Sequence, residues 1–247
     1  MTAPLLVETA ANVTTLAFNR PAKRNALSRE LLESLRTALT SAAAAKAHAI
    51  ILAGVADCFS AGADISELDG TPNDLGFDEV LGEIVNAIQN GPFLVIAAIE
   101  GACVGAAFDL ACACDVRVVS STAFFELPAV RFGLLYNPTA IARIQRVLPS
   151  ATVRRLLLVG ERIDASQSIA SGIATHLVEK SHALGAAHEI AKQALTNPRA
   201  LTETKRLLAA LEQGLTDLSS WQTVRLELLG SSERRAAVAS AKSRLHS

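Results

Sequence analysis

One tryptophan, one tyrosine and one methionine stand in 247 residues, and aromatic residues make up only 4% of the chain. No run of like charge occurs, and the formal net charge is −1, so a phosphate backbone or an anionic membrane finds no matching surface. No apolar run approaches the length that spans a bilayer, which argues against membrane insertion. The N-terminus has no basic segment leading into an apolar one, so no signal peptide is expected. Four cysteines are present, and Cys112-Ala113-Cys114 lacks both the C-x-x-C spacing and the second ligand pair of a zinc site. With Cys58 and Cys103 they lie in apolar contexts and read as free, buried thiols of a cytoplasmic protein needing no metal.

Half of the residues are hydrophobic and 19% are charged, enough for a sizeable core in one α/β domain with an appendage. Strands are expected at Leu5 to Glu8 and Val13 to Phe18 around a turn at Ala11-Asn12, then at Ala49 to Ala53 and Phe93 to Ile99. Val116 to Val119, Ala123 to Phe125 and Leu177-Val178 are further strands. Between them lie helical patterns: one capped by Ser28 with a stripe at Leu31, Leu32, Leu35 and Leu39, and one over Phe77 to Asn90. Gly70 to Gly76 reads as a surface loop. Asn137-Pro138, Pro149-Ser150 and Asp164 open three more helices, and from Leu184 the chain is helical throughout. Strands alternating with helices before an all-helical tail argue for α/β architecture, with residues 1–183 as core and 184–247 as helical subdomain.

Two stretches have the composition of a site. From Phe93 a buried strand runs into small residues, Gly101 to Ala107, and then into a helix carrying Asp109. A helix start leaves backbone N–H groups unpaired, with the dipole behind them, which suits a developing negative charge. The same residues would serve a tightly packed alanine-rich helix, and alone this stretch favours that plainer reading. The second stretch, Asp57-Cys58-Phe59-Ser60-Ala61-Gly62-Ala63-Asp64-Ile65-Ser66-Glu67-Leu68, also follows a strand.

Together, "FSAGADISEL" and "EGACVGAAFDLACACD", with "FNRPAKRNAL" before them and "AFFELPAVRFGLLYNP" after, resemble the crotonase (enoyl-CoA hydratase/isomerase) superfamily over nearly the whole chain. The resemblance implies a crotonase-like ββα spiral core and a C-terminal helical region used in a homotrimer or hexamer. It implies an acyl-CoA or enoyl-CoA thioester as ligand, with CoA as part of the substrate and no separate cofactor. The amides of Ala63 and Ala106 would bind the thioester oxygen, and the backbone of Ala61, Ala63 and Ile65 would meet the adenine. Lys23 and Arg24 would meet the phosphates; a solvated basic loop explains them nearly as well. Typical hydratases of the family use two Glu residues. Here the first position is Asp109 and the second is Ala129, which cannot titrate. Glu126 points to the opposite face of an extended segment, and Tyr136 and Asn137 offer hydroxyl and amide where some relatives carry an acid. The five histidines, His48, His176, His182, His188 and His246, fall in no signature. Three functions stay open: a lyase or isomerase of fatty acid metabolism with weak or altered hydration, a non-catalytic acyl-CoA-binding protein of lipid metabolism, and a different enolate reaction that needs one base, such as decarboxylation or C–C cleavage.

Overall fold

The computed structural model describes residues 2–194 and 197–245. Its strands are β1 (Leu5–Ala10), β2 (Val13–Phe18), β3 (Ala49–Gly54), β4 (Leu94–Ile99), β5 (Ala102–Val104), β6 (Val116–Ser120), β7 (Phe124–Glu126), β8 (Ile163–Asp164) and β9 (His176–Val178). Helices are α1 (Arg29–Ala44), α2 (Leu75–Asn90), α3 (Ala106–Ala113), α4 (Pro138–Val147), α5 (Ser150–Arg154), α6 (Ala165–Ser168), α7 (Ala183–Ala194), α8 (Pro198–Glu212), α9 (Ser219–Leu229) and α10 (Ser232–Arg244). The chain divides into two compact units, residues 1–193 and 194–247, so α7, with Ala183, Ala187 and Ala191 buried, belongs to the first.

Six strands form the larger sheet in the order β1-β2-β3-β4-β6-β9, and three form a smaller one, β5-β7-β8. Only β1 runs antiparallel in the larger sheet, paired with β2 through the Ala11-Asn12 turn. Both turn residues have positive φ, 48° and 65°, the left-handed geometry of a two-residue hairpin. The central strands β3 and β4 are buried on both faces, which is why their sequences are continuous apolar runs without alternation.

The order β4-β5-α3 is followed by β6-β7-α4, and in each the first strand joins the larger sheet and the second the smaller. A shortened version precedes them: after β3, Ser60 alone pairs in parallel with Cys103 of β5, and α2 follows. This is the expected ββα spiral. Inside it lies α3, every residue of which is buried. Phe59 packs edge-on against Phe18 at 5.3 Å, and Phe108 against Phe125 at 5.8 Å, so a ring from each spiral turn anchors the segment beside it.

Three local readings change. Small residues Ala102 to Val104, expected as turn, form β5, because their backbone pairs in register with β7. The surface loop ends in a single helical turn at Pro72–Asp74, and α2 starts at Leu75 rather than Phe77. The helix opened at Ser150 passes into a π-helical stretch over Arg155–Val159 before Gly160 ends it in the left-handed conformation. In the second unit, Ser231 caps α10 and Arg199 pairs with Glu227, while Leu226, Leu229 and Leu245 are exposed. His246 lies outside the described residues. None of the described helices is long and apolar enough to cross a membrane.

Candidate active site

The two loops singled out in the sequence meet at Gly62. Its φ is +92°, and a Cβ placed there would lie 2.6 Å from the carbonyl oxygen of Val104 and 3.7 Å from the amide nitrogen of Ala106. Only glycine permits that approach. On the other side of the same loop, Leu27 N–H donates to Gly62 O at 2.8 Å and Asp64 N–H to Leu27 O at 3.0 Å. This parallel bridge turns the intervening Ala63 N–H outward, where it has no acceptor among the described residues. Ala106 opens α3 directly after Gly105, whose φ is +56°, and its N–H is likewise without an acceptor. Two unpaired backbone donors thus stand on adjoining loops, one of them at a helix start.

A side-chain knot holds the first loop. Asn25 is fully buried with φ of 54°; it accepts from Arg20 N–H at 3.0 Å and donates to the carbonyls of Val55 and Cys58 at 2.9 and 2.6 Å. Arg20 donates to Ala26 O at 2.6 Å and to the Asp64 carboxylate at 2.8 Å. Asp64 also accepts from the Ser66 hydroxyl at 2.6 Å. The Ser66 hydrogen bond and the Arg20 guanidinium hold the Asp64 carboxyl below its ordinary range, against the opposing effect of burial. Neither Arg20 nor Asn25 was singled out from the sequence, although Asn is the non-glycine residue most at ease with positive φ.

Lys23 and Arg24 are exposed on this loop, and neither side chain has a partner among the described residues. Arg24 lines a cavity of about 400 Å³ with Asp57, Cys58, Phe124 and Lys180. Ala61 and Ala63 are half-buried and Ile65 is exposed; Ala61 N–H donates to Arg24 O at 3.0 Å and Ile65 O accepts from Leu68 N–H at 3.2 Å.

Asp109 lies one turn into α3, only 1% exposed, and Arg143 of α4 is 8% exposed beside it. Arg143 Nε and Nη2 donate to Asp109 Oδ1 at 3.0 and 2.7 Å, and Nη2 also donates to Oδ2 at 2.6 Å. Three N–H contacts on one carboxylate suit its ionised form. Burial pushes the Asp109 carboxyl up from its ordinary range, Arg143 pulls it back, and the Asp78 carboxylate adds to the rise. Sequence reasoning missed Arg143. It occupies a buried position between Ala140 and Ile144 on α4, and a cation inside an apolar stripe is the signal that could have found it.

Ala129 is buried at the start of a short helical turn, Ala129–Phe132. Glu126 is committed elsewhere: Arg162 pairs with it, and Arg131 Nη1 stands 3.7 Å from its carboxylate. Asn137 caps α4, accepting from Thr139 N–H at 2.9 Å. Tyr136 has no hydrogen-bond partner among the described residues, and burial, together with the carboxylates of Asp109 and Asp78, pushes its hydroxyl well above the ordinary range. Among the described residues no buried side-chain nitrogen or oxygen is left unpaired, so the free Tyr136 hydroxyl and the free Arg143 Nη1 open on accessible space. Cys103, Cys112 and Cys114 are buried and none is in a disulfide, with burial raising the Cys112 thiol to about 12. No group of His, Cys, Asp or Glu among the described residues is arranged to hold a metal ion.

The chain is similar to a protein named probable enoyl-CoA hydratase echA6 in Mycobacterium tuberculosis, 35% identical over 79% of this chain and 78% of that protein. It is 32% identical to methylmalonyl-CoA decarboxylase of Escherichia coli, over 85% of this chain and 82% of that one. The crystal structure of an enoyl-CoA hydratase/carnithine racemase from Magnetospirillum magneticum superposes with a TM-score of 0.92 at 25% identity, covering 99% of this chain and 94% of its counterpart. The enoyl-CoA hydratase/isomerase family model matches residues 8–234, and with the spiral fold and the paired loops in place the chain belongs to that family, within the crotonase superfamily.

Proposed function

We propose that the protein binds an acyl-CoA thioester and stabilises its enolate, with the N–H groups of Ala63 and Ala106 donating to the thioester oxygen. The observation that carries this reading is the pair of unpaired amides brought together across Gly62. Fixed donors of this kind cost no reorganisation as charge develops, and each contributes roughly 3–4 kcal/mol to the transition state in comparable sites. The backbone of Ala61, Ala63 and Ile65 would meet the adenine, and the exposed Lys23 and Arg24 suit the CoA phosphates. CoA belongs to the substrate, and no separate cofactor enters the reaction.

Hydration is weak in this reading. Adding water to an enoyl thioester needs one group that activates water and one that delivers a proton to the α-carbon. Ala129 offers neither. Asp109 accepts three of the roughly four hydrogen bonds a carboxylate can take, which leaves Oδ2 the capacity to accept one more. Arg143 opposes its protonation and burial favours it, and one carboxyl cannot both orient the water and deliver the α-proton in the same step. The same pairing favours the second reading, an acyl-CoA-binding protein of lipid metabolism without turnover.

We also assign the chain to the cytoplasm, as a homotrimer or hexamer, because exposed leucines on α9 and after α10 exceed what a lone appendage needs. Light scattering giving a monomer mass at micromolar concentration would refute that assembly. Steady-state assay with crotonyl-CoA and longer enoyl-CoAs, alongside acyl-CoA calorimetry, tests the function. Binding with slow hydration supports enolate chemistry, binding without turnover supports the carrier, and no binding overturns both.

A further inference from the structure

Five strands of the larger sheet, β2, β3, β4, β6 and β9, run parallel, so their carboxyl ends lie along one edge. In open α/β sheets that edge is where ligands settle. The cavity of about 400 Å³ opens there, and each part of its wall follows one of those strands. Arg24 follows β2, residues 55–58 follow β3, Gly101 follows β4, Thr122 follows β6 and Lys180 follows β9. Two cations therefore line it from separate loops. The Arg24 main chain is fixed, its carbonyl accepting from the Cys58 thiol at 3.4 Å, while its guanidinium has no partner among the described residues. Lys180 Nζ stands 3.3 Å from Asp57 Oδ2, an exposed pair that balances only one of the two cations. The turn after β3 adds backbone donors. Asn25 donates from the buried side to the carbonyls of Val55 and Cys58, at 2.9 and 2.6 Å. A trans peptide sets its N–H opposite its C=O, so the Ala56 N–H points away from Asn25. Ala56 and Asp57 have φ of 56° and 54°, and the N–H groups of Ala56, Asp57 and Cys58 have no acceptor among the described residues. Three successive unpaired amides in one turn make a concave donor set for an oxyanion.

We propose that this corner cavity binds a phosphate group, with Arg24 and Lys180 as its cations and the amides of Ala56, Asp57 and Cys58 as its backbone donors. A phosphate presents oxygens on several sides at once. The planar fork of Arg24, the point charge of Lys180 and the amides of the intervening turn approach it from three loops. Two cations against one carboxylate leave the wall positive, so an anion is favoured, and Asp57 is the group that weakens its hold. The phosphate is carried either by the CoA of a bound thioester or by a separate phosphate ester. The inference goes beyond the acyl-CoA reading above, because it concerns this corner and not the amides of Ala63 and Ala106. It stands or falls independently of thioester binding.

The test is calorimetric titration of the full-length protein with inorganic phosphate and with CoA, at constant ionic strength. Lys180→Ala is expected to weaken phosphate binding by about 10-fold, and Lys180→Arg to restore most of it. Asp57→Asn removes the opposing carboxylate, keeps a residue at ease with positive φ, and is expected to strengthen binding. The Lys180 and Asp57 side chains are 58% and 57% exposed, so neither change disturbs the core. A fall in CoA affinity in Lys180→Ala identifies the phosphate as CoA's own. CoA affinity that holds while phosphate affinity falls identifies a separate phosphate ester. Binding of neither probe, or affinities for both that are indifferent to Lys180→Ala and Asp57→Asn, overturns the proposal. Phosphate binding without CoA binding overturns the thioester reading and leaves this site standing.

Discussion

Arg143 Nη2 reaches both carboxylate oxygens of Asp109, at 2.7 and 2.6 Å, inside the first turn of the helix that begins with Ala106. The pair joins α3 to α4 at the carboxyl proposed above to take part in hydration. Removing Arg143 would strand a buried charge. Arg143→Met is expected to cost about 3–5 kcal/mol of unfolding free energy, and Arg143→Met with Asp109→Leu to recover most of it. Urea denaturation of the two variants checks this; equal destabilisation by both would show that the charge pair is not the cause.

Asp109→Ala is expected to abolish residual hydration of crotonyl-CoA while leaving acyl-CoA affinity nearly unchanged, since in the proposed mode the backbone amides, not this carboxylate, hold the oxygen. Ala129→Glu introduces an acid at a buried position and is expected to raise hydration, within the 10²–10⁴-fold range typical of general acid–base help. Loss of the enoyl absorbance reads both. Fast hydration by the unmodified protein would contradict the assignment.

Gly62 and Gly105 separate two kinds of damage. A methyl group at Gly62 meets the Val104 carbonyl at 2.6 Å and forces the two donor loops apart, whereas one at Gly105 meets nothing within 4 Å and adds only backbone strain, about 1–3 kcal/mol, because its φ of 56° with ψ of −121° lies outside the left-handed helical well. Gly62→Ala should therefore lose acyl-CoA binding, and Gly105→Ala should bind with a modestly lowered melting temperature. Calorimetry and thermal unfolding distinguish them.

Acid should loosen the donor loop before the rest. Asp64 has a folded pKa below the unfolded value of about 3.9, so its stabilising contribution is complete above that value and is lost as pH falls through the folded one. Ser66→Ala, which removes the largest cause, is expected to flatten the decline of melting temperature below about pH 4. A slope unchanged from the wild type would place the acid sensitivity elsewhere.

Much of the architecture was legible because buried parallel strands are written as uninterrupted apolar runs, as in Ala49–Gly54 and Leu94–Ile99, and because caps such as Ser28, Asn137 and Asp164 announce their helices locally. The three-residue strand β5 was not, since its identity depends on pairing with β7 some twenty residues away rather than on its own small side chains. The donor positions were readable from motif resemblance. Their support was not: the Asn25 knot and the Arg143 pair each join segments about 30 residues apart, and a linear pattern records neither distance nor which cation meets which carboxylate.

The Leu27–Ala63 bridge has a consequence for hydrogen exchange. Gly62 N–H is bonded to the Ser60 hydroxyl at 3.2 Å and Asp64 N–H to Leu27 O at 3.0 Å, while Ala63 N–H between them has no acceptor among the described residues. In the native protein the Ala63 amide should therefore trade its hydrogen quickly, bracketed by slow neighbours in a loop that is otherwise locked. An acyl thioester seated on that amide would slow it without any change in the loop, so a single backbone resonance reports occupancy of the site.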